Sequence, residues 1–289
     1  MADREIKHIV VTRFNLAIKF GCTKRKDSKV PLQRPWLDEA YLDQRFDIFE
    51  QYTFHAMKQQ KKMNYEWLVL FHKETPDQYK RRIKDYQQEL SQFTPLFFDD
   101  EQCINFGGAL RKYLEEKYSQ YNLITTRLDN DDYVHQQFIE QIQQDILSSN
   151  GKENLIISYE NGLQYDIRSG DILRYDYWKN HFISLLDISE EKRHVLDYNH
   201  DAIDAADIQV IRKKTEFPIW IEIITDSNYS NFERWTFKAP FVPYKVTKWY
   251  PEFHYKWSTL VGYVFYVGNA VIRMFMSKTV NLGRIILHR

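Results

Sequence analysis

The first half of the chain alternates short apolar segments with stretches in which apolar side chains recur every three or four residues. The short segments have the length and the β-branched and aromatic content of strands, and they lie at 8–16, 65–73, 93–100 and 122–128. Strands that alternate with helices favour βαβ units and a mainly parallel sheet. The sequence therefore predicts an α/β fold, with a mainly parallel central sheet flanked by helices and ligand sites at the carboxyl ends of the strands.

Helical spacing fills the segments between these strands. The segment 75–90 opens with threonine and proline, which suit the cap and first turn of a surface helix. Three other helices are predicted from apolar residues spaced three or four apart. Their marker residues are Leu42, Phe46, Phe49, Tyr52 and Ala56 in the first, Leu110, Leu114 and Tyr118 in the second, and Val134, Phe138, Ile142 and Ile146 in the third.

The second half of the chain has a different pattern. Apolar and polar residues alternate over 154–178, and turn signals at Asn161-Gly162 and Ser169-Gly170 predict β-hairpins there. One more buried strand is predicted over 217–226. The last region, from Phe241 to Arg289, holds seven Lys/Arg and one acidic residue among many aromatics. We therefore expect a main domain over 1–240 and a basic, aromatic C-terminal segment over 241–289.

The apolar stretch 260–276 within the C-terminal segment allows two interpretations. Its seventeen residues include Asn269 and Arg273, which makes it marginal for spanning a bilayer. In one interpretation it is a core helix that packs on the main domain. In the other it is an interfacial helix, because the flanking Trp, Tyr and Lys side chains are those that anchor at anionic lipid surfaces. The basic excess favours the interfacial interpretation, with an anionic membrane surface as partner.

Composition excludes several classes of protein. Forty basic and forty acidic side chains cancel, so a chain-wide electrostatic footprint for nucleic acid is missing and no nucleic-acid partner is expected. Two cysteines without a CxxC motif argue against a disulfide scaffold or a zinc site and fit a reducing cytosol. The charged start "MADREIKHIVV" is unlike a signal peptide, which predicts a cytoplasmic location. Nine glycines form neither a dinucleotide-binding fingerprint nor a P-loop.

The stretch "LITTRLDNDD" at 123–132 places three aspartates directly after a predicted strand. Asp129 and Asp131 can share one hard divalent cation, Mn²⁺ or Mg²⁺, and leave coordination positions for the phosphate oxygens of a ligand. Arg127 stands beside them as a partner for phosphate or carboxylate. The alternative is a solvated turn in which Asp132 caps the next helix.

Several stretches of the chain together resemble a known family. In order they are "VTRFNL" (11–16), "DIFEQYTF" (47–54), "WLVLFHKETP" (67–76), "LITTRLDNDD" (123–132), "HFISLLD" (181–187) and "WIEIITDSNYSN" (220–231). This series is similar to the rhamnosyltransferase family of bacterial glycosyltransferases over about residues 8–235, and "TRLDNDD" is its most specific element. The resemblance implies a GT-A fold over 1–240, a nucleoside-diphosphate sugar donor of the dTDP or UDP type, and a D-x-D motif that holds a divalent metal. It also implies an acceptor glycan, free or lipid-linked, of a cell-surface polysaccharide. Together with the basic C-terminal segment, this leads us to expect a cytoplasmic protein that binds the inner face of the cell membrane.

The resemblance also assigns residues to the donor site. Thr12, Arg13 and Phe14 correspond to the strand end at which such enzymes bind the nucleotide; the alternative for Phe14 is an ordinary core position. The remaining donor contacts are Arg127, Asp129 and Asn130, and the metal ligands are Asp129 and Asp131.

One departure from the family concerns the metal site. Family members tend to have a histidine about where Thr225 stands, so Asp226 or His200 would have to replace it as the third ligand. An inverting transfer also needs a carboxylate that deprotonates the acceptor hydroxyl. The resemblance points to Asp187 for this role, with Asp171, Asp176 and Glu160 as rivals and an ordinary turn carboxylate as the structural alternative.

Two other functions stay open at the level of sequence. A metal-dependent nucleotidyl- or phosphoryl-transferase would also use carboxylates at a sheet edge, but the chain lacks a glycine-rich phosphate loop with a lysine. A non-catalytic glycan-binding module on the same fold is the second alternative, and the missing histidine motivates it.

Overall fold

The computed structural model describes residues 4–17, 34–149, 153–225 and 248–253. The chain divides into two compact units. The first unit comprises residues 1–161 and 177–221, and the second comprises residues 162–176 and 222–289. Their division does not test the predicted boundary at residue 240, which lies outside the described residues and stays a prediction.

A seven-stranded sheet with the strand order β10–β6–β9–β4–β1–β2–β3 forms the centre of the first unit. Its strands are β1 (Ile6–Arg13), β2 (Glu66–His72), β3 (Phe93–Phe98), β4 (Asn122–Arg127), β6 (Leu155–Tyr159), β9 (Ser184–Asp187) and β10 (Gln209–Lys213). Strands β1 to β4 pair in parallel, and β10 is parallel to β6. Strand β9 runs antiparallel to both of its neighbours, β4 and β6. The sheet confirms the predicted α/β fold with a mainly parallel sheet.

The inner strands β1 and β2 have apolar centres because both faces of the sheet are covered. In β1, Ile9, Val10 and Val11 are all at most 1% exposed. On one face, Ile9 belongs to the same buried cluster as Leu110 and Leu114 of the helix that precedes β4. This arrangement leaves the strand ends as the places where polar side chains of the sheet can collect.

Each predicted helical segment of the first unit contains a helix, and the short helix α4 was not predicted. The helices are α1 (Glu39–Ile48), α2 (His55–Lys58), α3 (Asp77–Glu89), α4 (Asp100–Ile104), α5 (Phe106–Tyr118) and α6 (Phe138–Ser148), and a π-helical segment, Phe49–Phe54, joins α1 to α2. All five marker residues predicted for the first helix are buried. Helix α3 buries Tyr79, Ile83 and Tyr86 and exposes its polar face. Short 3-10 helices lie at Pro35–Leu37, Val195–Asp197 and His200–Ala205.

The start of α6 differs from the prediction. Val134 belongs to a two-residue strand, β5 (Tyr133–Val134), which pairs antiparallel with β11 (Trp220–Ile224). Helix α6 begins only at Phe138, and its N-cap residue is Gln137. The interpretation of Asp132 as the cap of this helix was therefore wrong, because five residues separate it from the first helical turn.

One predicted hairpin is confirmed and the other is wrong. Strands β7 (Asn161–Asp166) and β8 (Asp171–Asp176) are neighbours, and between them Gly170 adopts a φ of 77° and donates its N–H to the Asp166 carbonyl. Asn161, by contrast, does not form a turn between β6 and β7, which belong to different sheets. Its side-chain amide donates to the carbonyls of Thr215 and Phe217 instead.

The second unit contains β8, most of β7 and the end of β11. Within it the Ile167 N–H donates to the Ile224 carbonyl, and the rings of Tyr165 and Phe253 meet edge to face at 5.0 Å. In the parts of the chain that the structure describes, no helix is long and apolar enough to cross a membrane. The stretch 260–276 lies outside these parts, so the interfacial interpretation stays a prediction.

Candidate active site

The carboxyl ends of β1 and β4 lie side by side, because the two strands are parallel neighbours. The register pairs Val11 with Arg127, and the Leu128 N–H donates to the Val11 carbonyl. Consequently the residues that follow β4 lie beside Arg13, the last residue of β1. The edge is the place where open α/β sheets bind ligands.

Residues 129–132 form a β-turn at this edge. The Asp132 N–H donates to the Asp129 carbonyl at 3.4 Å, which is the contact between the first and fourth residues of such a turn. The Asn130 side-chain amide donates to the Phe14 carbonyl at 3.0 Å. Thr53 donates its hydroxyl to the Asp132 carbonyl at 2.8 Å. The turn's own hydrogen bond and these two contacts with other parts of the chain thus hold it in one conformation.

Asp129 is surrounded by guanidinium groups. Arg127 donates to both of its carboxylate oxygens, Nε to Oδ1 at 3.0 Å and Nη2 to Oδ2 at 2.7 Å. The Arg13 Nη2 lies 3.7 Å from Oδ1. Burial alone would raise the pKa of Asp129, but Arg127 holds it well below its usual range. Asp129 is therefore an ionised carboxylate whose charge is already balanced.

Asp132 pairs with a histidine from elsewhere in the chain. Its Oδ2 lies 2.6 Å from His181 Nε2, and both side chains are buried. Burial raises the pKa of Asp132, and the Asp131 and Asp129 carboxylates add to the rise. Burial alone would lower the pKa of His181, but Asp132 raises it above its usual value. The pair therefore holds a proton at neutral pH, which a metal ion would have to displace.

Asp129, Asp132 and His181 together could hold a metal ion. One ligand atom from each lies within 4.8 Å of the other two. Two carboxylate oxygens suit Mg²⁺ and Mn²⁺, and an imidazole nitrogen is acceptable to Mn²⁺ and other first-row divalent ions. The chemistry and the spacing of these donors therefore fit the divalent cation that the sequence predicts.

Asp131 lies against a different partner. Its Oδ2 accepts from Arg45 Nη1 of α1 at 2.8 Å, and the two side chains are only 9% and 14% exposed. Within the described residues, the three-ligand group does not include Asp131. Asp129, the other predicted metal ligand, does belong to the group, and the predicted role of Asp131 is untested.

Two predicted nucleotide contacts lie in the core. The Thr12 hydroxyl accepts from Trp67 Nε1 at 2.9 Å and is fully buried. The Phe14 ring is 5% exposed and packs against Phe46 and Phe71 at centroid distances of 4.5 and 4.8 Å. Phe14 therefore occupies the core position that the sequence left open as an alternative, and its contact with a nucleotide base stays a prediction.

The other predicted donor contacts are brought together by the fold. Arg13, Arg127, Asp129 and Asn130 all lie at the turn or beside it. Arg13 keeps 29% of its side chain exposed, and its guanidinium lies 5.7 Å from the ring centroid of Phe106 at the start of α5. These four residues form one polar surface at the carboxyl edge of the sheet.

Asp187 lies at the opposite end of β4. It pairs with Leu123, whereas the turn follows Arg127, so about four residues at roughly 3.3 Å each separate them. The Asp187 Oδ1 accepts from the Ser189 hydroxyl at 2.7 Å, and Oδ2 is buried without a hydrogen-bond partner among the described residues. Burial raises its pKa. A distance of about 13 Å along the strand argues against Asp187 as a base that acts beside Asp129.

His181 is the member of the candidate metal group that the sequence did not identify. It stands two residues before Ile183, whose carbonyl accepts from the Arg127 N–H at 3.1 Å, so the entry to β9 brings it to the carboxyl end of β4. His200, which the sequence did single out, lies nearby with its ring centroid 5.8 Å from that of His181. Thr225 is buried, and Asp226 lies outside the described residues. The sequence could not identify His181, because its position depends on the direction of β9, which only the tertiary fold sets.

A family model with the description "Putative rhamnosyl transferase" matches residues 7–235. The chain belongs to this family. The match covers both strand ends of the candidate site, the turn and His181, and it confirms the resemblance drawn from the sequence. A search of curated proteins finds no significant match.

Several solved structures are similar to this member of the rhamnosyl transferase family at low identity. Residues 1–349 of S. aureus TarS align with a TM-score of 0.41 and 10% identity over 75% of this chain and 60% of that one. The same TarS fragment with UDP-GlcNAc gives a TM-score of 0.39 and 9% identity, over 79% and 62% of the two chains. A cytidylyltransferase from Leptospira borgpetersenii gives 0.38 and 11%, over 76% and 82%. The chain spans less than two-thirds of the TarS chains.

Proposed function

We propose that this chain is a metal-dependent glycosyltransferase that moves a sugar from a nucleoside-diphosphate donor to a hydroxyl of a cell-surface glycan. The observation that carries the proposal is the group formed by Asp129, Asp132 and His181, placed beside two arginines at the carboxyl edge of the sheet. A divalent cation and a diphosphate are the natural partners of such a surface. Membership of the rhamnosyl transferase family supports the reaction class.

The metal site would be held by Asp129, Asp132 and His181. When bound there, Mn²⁺ or Mg²⁺ supplies a positive charge that stabilises the departing nucleoside diphosphate. Arg127 keeps Asp129 ionised and oriented through two hydrogen bonds, so this ligand needs no rearrangement. The turn, anchored by Thr53 and Asn130, keeps the two carboxylates at a constant separation.

The arginines would bind the diphosphate of the donor. Arg13 is the better placed of the two, because its guanidinium is partly exposed and only 3.7 Å from Asp129. Arg127 is less exposed, at 15%, and is already engaged with both oxygens of Asp129. We therefore assign Arg13 to direct contact with a phosphate oxygen and Arg127 to holding Asp129.

An inverting transfer needs a base outside the metal group. Among the described carboxylates, Asp201 is best placed for this role: its Oδ1 lies 3.6 Å from His200 Nδ1, and the His200 ring contacts that of His181. Its side chain is 67% exposed, so an acceptor hydroxyl can reach it, and its charge acts on Arg127. In this proposal Asp201 removes the hydroxyl proton as the oxygen attacks the anomeric carbon.

The family resemblance and the sequence suggest the identity of the substrates. We propose that the sugar is rhamnose, that the donor carries dTDP or UDP, and that the acceptor is a free or lipid-linked glycan. Association with the inner face of the membrane also belongs to this proposal, since it rests on the basic, aromatic segment 241–289.

The proposal is tested by a thermal-shift screen of nucleoside diphosphates and nucleotide sugars, each with and without Mn²⁺. Ligands that bind only the folded state raise the melting temperature, so a dTDP or UDP compound should raise it further when Mn²⁺ is present. The matched variant is Asp132→Asn, which should lose the Mn²⁺-dependent part of the shift. Absence of any nucleotide binding would overturn the proposal, and release of pyrophosphate from nucleotide substrates would point to a nucleotidyltransferase instead.

A further inference from the structure

We propose that Arg45 and Asp131 form a positioning clasp for the metal site, so that Asp131 orients the turn and does not itself bind the metal. The inference rests on the proposed function, because it concerns how the metal group of Asp129, Asp132 and His181 is held. It departs from the spacing of the D-x-D motif, in which Asp131 would be a ligand.

The first argument is the contact itself. Arg45 lies on α1, 86 positions before Asp131, and its Nη1 donates to Asp131 Oδ2 at 2.8 Å. Both side chains are largely removed from solvent, which strengthens the interaction between their charges. The clasp is therefore a lasting ion pair that ties the turn to α1.

The second argument is the distribution of charge over the turn. Each of its three carboxylates has its own cationic partner: Arg127 for Asp129, Arg45 for Asp131 and His181 for Asp132. If Asp131 turned towards a metal ion, it would leave the Arg45 guanidinium buried without its carboxylate. An uncompensated buried charge is strongly unfavourable. Of the three partners, only His181 has a nitrogen that can bind a metal ion, because a guanidinium offers no acceptor atom.

The third argument is the position of each aspartate in the turn. Asp129 and Asp132 are its first and fourth residues, which a β-turn brings close together. Asp131 is the third residue, and its carboxylate accepts a hydrogen bond from Arg45 of α1. The clasp therefore fixes the middle of a turn whose first and last residues belong to the metal group, so a change at the clasp reaches both of them through the backbone.

The test measures Mn²⁺ affinity directly, from the electron paramagnetic resonance signal of free Mn²⁺ during titration of the full chain. Loss of a ligand or of its supporting partner typically lowers metal affinity roughly 10- to 100-fold. Asp132→Asn should therefore lose at least about 10-fold in affinity. The double variant R45Q/D131N keeps the local net charge and lets a neutral glutamine–asparagine pair reproduce the hydrogen bond. We expect its affinity to stay within about 3-fold of the wild type.

A second double variant tests whether the clasp positions the metal ligands or has no effect on them. R45M/D131L also keeps the net charge, but it removes the clasp and fills its space with apolar side chains, a change that buried ion pairs often tolerate without loss of stability. We expect about a 10-fold loss of Mn²⁺ affinity while the circular dichroism spectrum and melting temperature without metal stay close to those of R45Q/D131N. That contrast supports the clasp, since a merely structural pair would change stability without changing affinity.

Three results would overturn the inference. If R45Q/D131N loses as much affinity as Asp132→Asn, Asp131 is a metal ligand. If both double variants bind Mn²⁺ like the wild type, the clasp has no positioning role. If R45M/D131L does not fold, R45Q/D131N decides, because it leaves no unpaired buried charge: a loss as large as that of Asp132→Asn refutes the inference, and an affinity within about 3-fold of the wild type supports it. A wild type that binds no Mn²⁺ would refute the metal-dependent proposed function itself, whereas the other results leave it standing.

Discussion

The buried histidine of β1 gives a quantitative prediction about stability and pH. His8 is 2% exposed, and each ring nitrogen has one polar neighbour. Nε2 lies 2.8 Å from the Thr126 hydroxyl, and the Gln143 amide nitrogen lies 3.2 Å from Nδ1. The same amide nitrogen also donates to the Asn64 carbonyl, which orients it with its N–H groups towards His8. This environment suits the neutral ring, with Nε2 as donor and Nδ1 as acceptor.

Burial lowers the pKa of His8 from 6.5 to about 3. The unfolded chain therefore binds a proton below pH 6.5 that the folded chain refuses, and stability falls as the pH falls between these two values. Each pH unit costs about 1.4 kcal/mol in this window, so the free energy of unfolding should drop by about 2 kcal/mol between pH 7 and pH 5. The full cost by pH 3 is about 5 kcal/mol, a large part of the stability of an ordinary domain.

The assay is equilibrium urea unfolding, followed by tryptophan fluorescence at pH 7, 6 and 5, on the wild type and His8→Gln. Other titrating groups act on both proteins, so the difference between their pH dependences isolates His8. We expect the wild type to lose about 2 kcal/mol more than His8→Gln over this range. Parallel curves within about 0.5 kcal/mol, or a His8 ring resonance that titrates near pH 6.5, would refute the reasoning.

Three further predictions concern single residues. Asp187→Asn should unfold at a higher urea concentration than the wild type at pH 8. Burial raises the pKa of Asp187, so the folded protein loses stability as the pH rises and this buried carboxyl group has to ionise, whereas asparagine stays neutral. Sugar transfer should be unaffected, and a large loss of transfer would restore Asp187 as the base. Gly170→Ala should lower the free energy of unfolding by roughly 1–2 kcal/mol in the same urea assay, since φ is 77° at this position. Phe14→Ala should cost roughly 3–5 kcal/mol as a core cavity, whereas Phe14→Leu should cost much less; equal donor affinity in folded Phe14→Leu and wild type would show that the ring does not hold the nucleotide.

The sequence predicted the strands that are buried on both faces, because such strands are rich in apolar residues. Strands β1 and β2 are covered on both faces, and each contains an apolar run, residues 9–11 and 67–71, that can be recognised without knowing its neighbours. Strand β9 has only four residues, and β10 is a partly exposed edge strand with a mixed pattern. Neither leaves a local signal, and the antiparallel direction of β9 is decided by its pairing with β4 and β6.

In the candidate site, too, the sequence indicated the contacts between neighbouring residues and missed those between residues far apart in the chain. The contact between Arg127 and Asp129 spans two positions in the chain, so the sequence already placed Arg127 beside the aspartates as a partner for phosphate or carboxylate. The partners Arg45 and His181 lie 86 and 49 positions from the aspartates they contact, and their side chains carry no local mark of that role. His8 shows the same limit, because its neutral state depends on burial by Thr126 and Gln143 from two other elements.

The turn at residues 129–132 shows that the spacing of aspartates and the conformation of the backbone can suggest different ligand sets. In an extended strand, residues two apart point to the same side, so a D-x-D motif suggests that Asp129 and Asp131 act together. Here the strand has ended at Arg127, and the Asp132 N–H closes a β-turn on the Asp129 carbonyl. In this turn the first and fourth residues come close together, instead of residues two apart. Asp129 is therefore grouped with Asp132, and Asp131 pairs with Arg45. Any other chain with aspartates at these three positions should divide its ligands in this way only if its backbone turns at the same residue, and a solved complex with Mn²⁺ would show which pair the metal selects.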